Sequence, residues 1–282
     1  MSTHSDPSCT RDASDEHRAG IRLVSLVVPT LNEPHLGASF DVLADQLAKI
    51  DDGRFEILVV DDSQDEERKE VARQIDERAY LAPKIQIRLV NGERRGKGHA
   101  VRKGALRSRG DTVIVMDADL PVSLCHVAEF LERLEQGDCD IVVGERPAAR
   151  NAGQPLRRFL STALLVMQRS IILRKSEFSD TQCGFKAFRG PVLRSIAARQ
   201  TIDGGMYDIE YLYMALLDGC RVVRSPVTTT PSARPSKIRL WTCMYTDPFA
   251  LFRIKATGAL GRYRSEIGVG TGIPMDRRGG IG

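Results

Sequence analysis

Short apolar runs alternate with amphipathic stretches through the first half of the chain. The apolar runs predict strands over residues 23–28, 56–60, 85–90, 112–116 and 141–143. Between the first two runs, apolar residues recur every three or four positions, as on one face of a helix: Leu36, Phe40, Leu43, Leu47 and Ile50. Strands that alternate with helices predict an α/β fold with a mostly parallel central sheet flanked by helices.

The helical patterns are clear in the first half and weaker after it. Further helices are predicted over 64–78, 99–107 and 124–134. The second half predicts a long helix over 156–174, a polar segment over 176–186, a helix near 207–217 and a strand near 221–227. Beyond Thr228 the pattern fades, so we expect a mobile basic loop at 232–237 and a poorly ordered glycine-rich end over 268–282.

A polar segment follows each of the five strands predicted in the first half. These segments cover residues 29–33, 61–65, 91–98, 117–119 and 144–146. If the strands are parallel and connected right-handedly, the segments meet at one edge of the sheet. Ligands bind beyond that edge in open α/β sheets, so we expect the functional site there.

Two Asp-x-Asp sequences take opposite positions relative to the strands. Asp117 and Asp119 follow the apolar run 113–116, whereas Asp138 and Asp140 precede the run 141–143. The first pair is therefore predicted at the functional edge of the sheet and the second pair at the opposite edge.

The residue types at the predicted functional edge suit a metal-bridged diphosphate. Asp117 and Asp119 can hold a hard divalent cation that neutralises charge on phosphate oxygens. Arg95 and Lys97 add positive charge, and the glycines that flank Lys97 let the backbone approach a ligand closely.

Each of these features also has a structural explanation. Asp61 and Asp62 can cap the helix that follows them, and Gly96-Lys97-Gly98 can be a simple turn. The chain carries neither Gly-x-x-x-x-Gly-Lys-Ser/Thr nor an early Gly-x-Gly-x-x-Gly, which disfavours a phosphotransfer NTPase and a dinucleotide oxidoreductase.

Taken together, three segments resemble the hallmark segments of the GT-A glycosyltransferases of family 2 in order and spacing. They are residues 27–33, 59–63 and 115–119, with the sequences VVPTLNE, VVDDS and VMDAD. The resemblance covers roughly residues 22 to 240. It implies a GT-A (Rossmann-like) fold, a UDP- or GDP-sugar donor, Mg²⁺ or Mn²⁺ as cofactor, and transfer with inversion.

Within that family, four more segments resemble the dolichyl-phosphate and bacterial polyprenyl-phosphate hexose synthases. They are residues 96–100, 180–186, 207–210 and 234–237. This second resemblance implies transfer of a hexose, mannose or glucose, to a polyprenyl phosphate. It also implies a nucleotide-sugar-binding half over 21–145, an acceptor-binding half over 146–240 and a C-terminal extension over 241–282.

The resemblance assigns roles residue by residue. Asp117 and Asp119 would be the metal ligands, and Gln182 and Glu210 would face the sugar or the acceptor side. The donor site would comprise Pro29, Thr30, Asn32, Glu33, Asp61, Asp62, Ser63, Arg95, Gly96, Lys97, Asp117, Ala118, Asp119 and Gln182. The acceptor phosphate would meet Arg146, Arg234, Ser236 and Lys237.

The chemistry of the acceptor decides whether a general base is needed. A phosphate is already an anionic nucleophile near neutral pH, whereas a hydroxyl needs a base to accept its proton. For a hydroxyl acceptor the candidate bases are Asp208 and Glu210, with Asp180 behind them. As an alternative, Asp208 and Glu210 begin a helix and have no catalytic part.

Two departures from the family pattern bear on the metal and the acceptor. Many mannosyl members have a glutamine two residues after the second metal-site aspartate, where this chain has Pro121, so a third protein ligand is not identified. Many polyprenyl-phosphate members end in membrane-spanning helices, and no run here reaches the roughly 20 apolar residues that a span requires. A soluble acceptor, such as a secondary metabolite, a nucleoside or a small organic acid, therefore stays open.

Composition limits the class of protein and the cellular compartment that we expect. With 42% hydrophobic residues the 282-residue chain can bury a large core, and 41 basic against 37 acidic residues is too mild an imbalance to indicate nucleic-acid binding. Six scattered cysteines without metal-site spacing favour a reduced, cytoplasmic protein. The polar residues 1–20 are expected to form a disordered tail rather than a signal peptide.

Two apolar segments leave membrane or subunit contact open. Residues 156–175 combine apolar and basic positions, which suits a helix at the inner face of a membrane or a core-packed helix with solvated cations. Residues 240–253 could cover the acceptor site, pair two subunits in a homodimer or touch a membrane.

Two other function classes share some of these features. A nucleotidyltransferase would place its basic glycine-rich element soon after the first strand, whereas residues 94–98 come about two βα units later. A non-catalytic protein would bind a sugar nucleotide without turning it over.

Overall fold

The computed structural model describes residues 23–34, 36–50, 53–78, 84–120, 122–146, 162, 166–168, 180–229 and 240–264, and the structural statements below concern these residues. Seven strands lie in one sheet. They are β1 (Leu23–Thr30), β2 (Arg54–Asp61), β3 (Ile85–Asn91), β4 (Thr112–Val115), β5 (Ile141–Glu145), β6 (Lys186–Arg189) and β7 (Val222–Pro226).

Seven helices have bounds that lie within the described residues, and they flank this sheet. They are α1 (Leu36–Leu47), α2 (Asp65–Asp76), α3 (Lys97–Arg107), α4 (Cys125–Glu135), α5 (Gly190–Arg199), α6 (Tyr207–Leu217) and α7 (Leu240–Ala259). No helix in the described part of the chain is long and apolar enough to cross a bilayer.

The strands run in the order β3-β2-β1-β4-β6-β5-β7. Strands β1 to β4 are mutually parallel, β6 is antiparallel to both β4 and β5, and β5 is parallel to β7. Thr30 pairs with Asp61, and Asp61 pairs with Asn91, so three strands end level with one another. The loops that follow them therefore start at the same edge of the sheet.

Alternating side chains of the strands build an apolar layer on each face of the sheet. On β1, Val24, Leu26 and Val28 belong to one buried cluster and Val27 to the other, because successive strand residues point to opposite faces. Helices α1, α2 and α4 cover the first face, and α3, α5 and α6 cover the second. The loops at the carboxyl edge thus rest on a rigid, two-sided core.

The predicted α/β fold with a mostly parallel sheet is confirmed. Each strand and helix predicted in the first half is present, as are the predicted helix and strand near residues 207–227. Two neighbouring elements were not predicted, β6 and α5. Strand β6 has only four residues and begins with Lys186, which is 2% exposed, so a charged residue replaces the apolar signal.

The region after Thr228 contains a helix where the pattern only faded. Helix α7 spans 20 residues and has Pro248 inside it. It contains segment 240–253, which the sequence leaves open as a cover over the acceptor site, a subunit contact or a membrane contact. Leu251 and Ile254 pack into the core, whereas Phe249 and Phe252 are exposed. The predicted tail over 1–20, the glycine-rich end over 268–282 and most of the helix predicted over 156–174 lie outside the described residues.

Candidate active site

The loops after β1 and β2 are joined by hydrogen bonds around Asp61. Thr30 Oγ1 and Ser63 Oγ both donate to Asp61 Oδ1, over 2.8 and 2.7 Å, and the backbone N–H of Asn32 donates to Ser63 Oγ over 2.8 Å. Asp61 is fully buried. Its second oxygen, Oδ2, has no hydrogen-bond donor among the described residues, and Arg68 Nε lies 4.0 Å away.

The loop after β3 is held against the loop after β2. The backbone N–H of Arg94 donates to Asp62 Oδ1 over 3.0 Å, and that of Gly92 donates to the carbonyl oxygen of Asp61 over 2.7 Å. A Cβ at position 92 would lie 1.9 Å from Asp62 Oδ1, so this close approach requires glycine.

Lys97 and Asp117 join the loop after β3 to the loop after β4. Lys97 Nζ lies 2.5 Å from Asp117 Oδ1, and both side chains are partly exposed. Burial raises the pKa of Asp117, but the nearby cations Lys97, Lys186 and Arg146 together outweigh burial and hold this pKa below its usual range. Lys97 has a raised pKa, because the nearby acids outweigh the effect of burial on it.

The backbone also marks this edge. Among the described residues, the non-glycine residues with positive φ are Asn32, Asp65, Arg94 and Leu120, with angles of 51°, 45°, 52° and 46°. They follow β1, β2, β3 and β4 in turn: three lie in loops, and Asp65 is the first residue of α2. Such conformations cost free energy and collect at functional sites, which favours this edge as the site.

Two of the three predicted general bases are ion-paired. Arg146 donates to both oxygens of Asp180, from Nε over 2.5 Å and from Nη2 over 2.9 Å. Burial raises the pKa of Asp180, but Arg146 and Lys186 together outweigh it and lower this pKa overall. Lys186 Nζ donates to Asp208 Oδ1 over 2.7 Å, and both side chains are buried.

The third predicted base, Glu210, is fully buried and accepts four hydrogen bonds. Its donors are the backbone N–H groups of Thr201 and Ile202, over 2.8 and 2.9 Å, and the hydroxyl groups of Thr201 and Tyr263, over 2.6 and 2.5 Å. Since all four donors belong to the fold itself, this geometry favours a structural role over proton transfer.

The remaining predicted residues lie at or near the same edge. Pro29 is the last residue but one of β1, and Glu33 lies in the loop after this strand. Ala118 is buried between two aspartates that are both accessible. Gln182 Nε2 lies 3.4 Å from Met206 Sδ. The predicted acceptor residues Arg234, Ser236 and Lys237, together with Pro121, fall outside the described residues.

Three positions at this edge were not in the predicted site. Lys186 sits in the quoted segment 180–186, but its burial beside Asp208 has no sequence signal. Asp203 pairs with Arg95 over 2.8 Å and follows no strand, so its role depends on tertiary contact. Gly184 lies against Asp117: a Cβ there would be 2.2 Å from Asp117 Oδ2.

The carboxylates of Asp117 and Asp119 fit a hard divalent cation by their chemistry and access. Oxygen ligands are those that Mg²⁺ and Mn²⁺ prefer, and such cations often keep positions for phosphate oxygens and water. Within the described ranges, no cluster of three or more His, Cys, Asp or Glu side chains is arranged for a metal. The protein itself would thus supply two ligands, and Lys97 would share Asp117 with the cation.

The second Asp-x-Asp sequence lies at the opposite edge, as predicted. Asp140 Oδ2 accepts the backbone N–H of Arg221 over 2.8 Å, and the carboxylate lies 3.4 Å from the side-chain nitrogens of both Arg189 and Arg221. It ties β5 to β7 and has a structural role.

Comparisons with known proteins agree with this fold. A 217-residue stretch is 30% identical to glycosyltransferase AglD of Haloferax volcanii, covering 76% of this chain and 34% of that protein. Over 205 residues it is 30% identical to a dolichyl-phosphate beta-glucosyltransferase of Dictyostelium discoideum, covering 68% of this chain and 62% of that one. The matched stretch thus spans about a third of the length of the first relative and just under two thirds of the length of the second.

Among solved structures, the fold resembles glucosyl-3-phosphoglycerate synthase of Mycobacterium tuberculosis in complex with phosphoglyceric acid. The TM-score is 0.58 at 18% identity, over 92% of this chain and 85% of the other. The sequence profile of the family described as Glycosyl transferase family 2 matches residues 25–196, more than half of the chain. The loops after β1 to β4 lie inside this match, and the chain belongs to glycosyl transferase family 2.

Proposed function

We propose that this protein transfers a hexose, with inversion, from a nucleoside diphosphate sugar to a polyprenyl phosphate, with Mg²⁺ or Mn²⁺ as cofactor. Family membership supports glycosyl transfer over nucleotidyl transfer. Relatives named dolichyl-phosphate beta-glucosyltransferase, from Dictyostelium discoideum to Homo sapiens, support a lipid phosphate acceptor and glucose as the sugar.

One observation carries the choice of acceptor: each candidate general base is already engaged. Asp180 is paired with Arg146, Asp208 with Lys186, and Glu210 accepts four hydrogen bonds. Since cations and hydrogen-bond donors of the fold already occupy these carboxylates, we infer that none of them activates a hydroxyl. A phosphate acceptor needs no base, and Arg146, whose side chain is partly exposed beside Asp180, can meet it there.

The donor would be held by the loops after β1 to β4. Oδ2 of Asp61 has no hydrogen-bond donor among the described residues and can accept an N–H of the nucleobase. That bond would remove the cost of a buried acceptor without a donor. The cation, held by Asp117 and Asp119, would neutralise the negative charge that the diphosphate gains as it leaves. Lys97 adds a positive charge beside it. In other proteins of this fold, structures contain Mn²⁺ with UDP-glucose and Mg²⁺ with UDP.

The reaction balances without a redox partner. An oxygen of the acceptor phosphate forms a bond to the anomeric carbon as the bond from that carbon to the diphosphate oxygen breaks. The electron pair of the broken bond leaves on the nucleoside diphosphate. Attack opposite the leaving group gives inversion. Since a polyprenyl phosphate resides in a membrane, we place this step at the cytoplasmic face of a membrane, with peripheral contact.

Transfer assays test this proposal. Purified protein would be incubated with UDP-glucose or GDP-mannose, Mn²⁺ or Mg²⁺, and either a short polyprenyl phosphate or 3-phosphoglycerate. We expect a glycosyl polyprenyl phosphate from UDP-glucose, and loss of product with a chelator. Asp208→Asn should retain transfer to the phosphate acceptor, because no base is needed. Product from 3-phosphoglycerate alone would replace the lipid acceptor with a soluble one, and transfer unaffected by chelator would contradict the metal role.

A further inference from the structure

The segment that leads into α6 packs directly on the start of α3. The backbone N–H of His99 donates to the carbonyl oxygen of Asp203 over 3.0 Å. A Cβ at Gly96 would lie 2.6 Å from that same oxygen, and a Cβ at Gly98 would lie 2.7 Å from the carbonyl oxygen of Gly204. Glycine at both positions lets segment 201–206 lie against the backbone on either side of Lys97.

Glu210 holds the first part of this segment in place. Its carboxylate accepts the backbone N–H groups of Thr201 and Ile202, immediately before Asp203. Tyr263, which is 1% exposed, donates its hydroxyl to Glu210 Oε1 over 2.5 Å. The anion therefore connects the turn after α7 to segment 201–206.

Two further contacts fix the same connection. Arg253 of α7 donates from Nη2 to the carbonyl oxygen of Thr201 over 3.0 Å, and Arg199 donates to the carbonyl oxygen of Tyr263. Arg199 also pairs with Asp218 at the end of α6. The C-terminal helix and the turn after it thus brace segment 201–206 from one side, and α3 contacts it on the other.

We propose that Tyr263 and Glu210 are positioning residues that set Lys97 against Asp117 and so tune the grip on the donor diphosphate. The contacts run from Tyr263 through Glu210 to segment 201–206, and from there to Gly96 and Gly98, which flank Lys97. Tyr263, Glu210 and the segment all lie beyond residue 196, where the family match ends. This inference rests on the proposed function, because it assumes that Lys97 serves a diphosphate.

Tyr263→Phe is the main test, since it removes only the hydroxyl. The matched control is Tyr213→Phe on α6, whose ring packs edge-on against Tyr263 at 6.2 Å and carries no hydrogen bond to segment 201–206. Hydrogen–deuterium exchange of the full chain, without any ligand, measures whether the loss of the hydroxyl loosens segment 201–206 and the start of α3. Calorimetric titration with UDP and with UMP, both with Mn²⁺, reads its effect on diphosphate binding.

In Tyr263→Phe we expect faster exchange at 97–103 and 201–202, with unchanged exchange in β1 and β2. We also expect about five- to tenfold weaker UDP binding and unchanged UMP binding, because the network would act through Lys97 on the second phosphate. Glu210→Gln should shift both readouts in the same direction, and Tyr213→Phe should shift neither.

Unchanged exchange at 97–103 in Tyr263→Phe would overturn the inference, as would equal changes in Tyr213→Phe or a rise throughout the sheet. Equal weakening of UDP and UMP would also overturn it, since the diphosphate would then not be singled out. If the wild-type protein bound neither nucleotide, the proposed function would fail, and the exchange data would still decide whether Tyr263 supports α3.

Discussion

Two buried acids on the same strand, Glu56 and Asp61, show how the two edges of the sheet differ. Glu56 lies near the amino edge and is 0% exposed. It accepts from Ser25 Oγ, from the backbone N–H and Nε of Arg109, and from Arg88. Asp61, at the carboxyl edge, is equally buried, yet one of its oxygens has no hydrogen-bond donor among the described residues.

We interpret this difference as a difference in role: Glu56 stabilises the fold, and Asp61 serves ligand binding. An acid whose oxygens are all satisfied stabilises the fold, as Asp140 also does at the amino edge. An unsatisfied buried acceptor costs stability unless a ligand supplies its donor. The residues with positive φ that follow β1 to β4 add to that cost at the same edge. We infer that the carboxyl edge gives up stability in order to bind.

The largest expected effect is a loss of transfer activity when either aspartate of the carboxyl edge is replaced. Asp117→Ala and Asp119→Ala should each lower kcat/KM by about 100- to 1000-fold, as for loss of a group that stabilises charge in the transition state. Thermal melting should change little for the exposed Asp119. Steady-state transfer assays and melting curves measure both.

Asp140→Ala is the control for that prediction. It should lower the melting temperature, because β5 and β7 lose a shared anchor, while activity per folded molecule stays near wild type. An activity loss in Asp140→Ala as large as that in Asp117→Ala would erase the proposed distinction between the edges.

Glu56→Gln should cause the second-largest effect, this time on stability. The substitution keeps the shape but removes the charge that four donors share, and we expect a loss of about 2–3 kcal/mol in the free energy of unfolding. The value is moderate because the two arginines are partly exposed and stay hydrated. Urea unfolding measures it, and a change below about 0.5 kcal/mol would show that Glu56 is not an anchor.

Gly184→Ala should produce a smaller loss at the carboxyl edge. Its new Cβ would lie 2.2 Å from Asp117 Oδ2, so the carboxylate must move, and we expect about tenfold lower activity. Gly205→Ala is the matched control, because no atom lies within 4 Å of a Cβ there. Equal activities of the two variants in a transfer assay would mean that the position of Asp117 tolerates movement.

The smallest expected effect is on the pH dependence of stability. Burial raises the pKa of Glu56, but its hydrogen bonds to Ser25, Arg109 and Arg88 outweigh burial and lower it overall. Glu56 therefore stabilises the fold above its unfolded pKa of about 4.3, and this contribution is lost as the pH falls through the lower folded value. The stability gap between wild type and Glu56→Gln should narrow below about pH 4.3, and a gap that widens there would reverse the sign.

The sequence predicts the edge well because the parallel strands carry strong apolar runs and end in polar loops. Asp117 and Asp140 were assigned to opposite edges from their positions relative to strands alone, and the sheet topology places them so. The sequence does not reveal which acids are satisfied, because Glu56 and Asp61 differ only in tertiary donors. The same limit applies to Glu210, whose donors come from residues 201, 202 and 263, and to the four-residue strand that starts with Lys186.

The most direct measurement is calorimetric titration of UDP with Mn²⁺ into wild type, Asp61→Asn and Glu56→Gln. Asp61→Asn turns the carboxylate, whose Oδ2 has no hydrogen-bond donor among the described residues, into an amide of nearly the same shape. Glu56→Gln makes the matched change on the same strand. The account predicts at least tenfold weaker binding for Asp61→Asn and wild-type affinity for folded Glu56→Gln. Wild-type affinity in Asp61→Asn, or equal losses in both variants, would contradict the claim that the carboxyl edge holds its unsatisfied acid for the nucleotide.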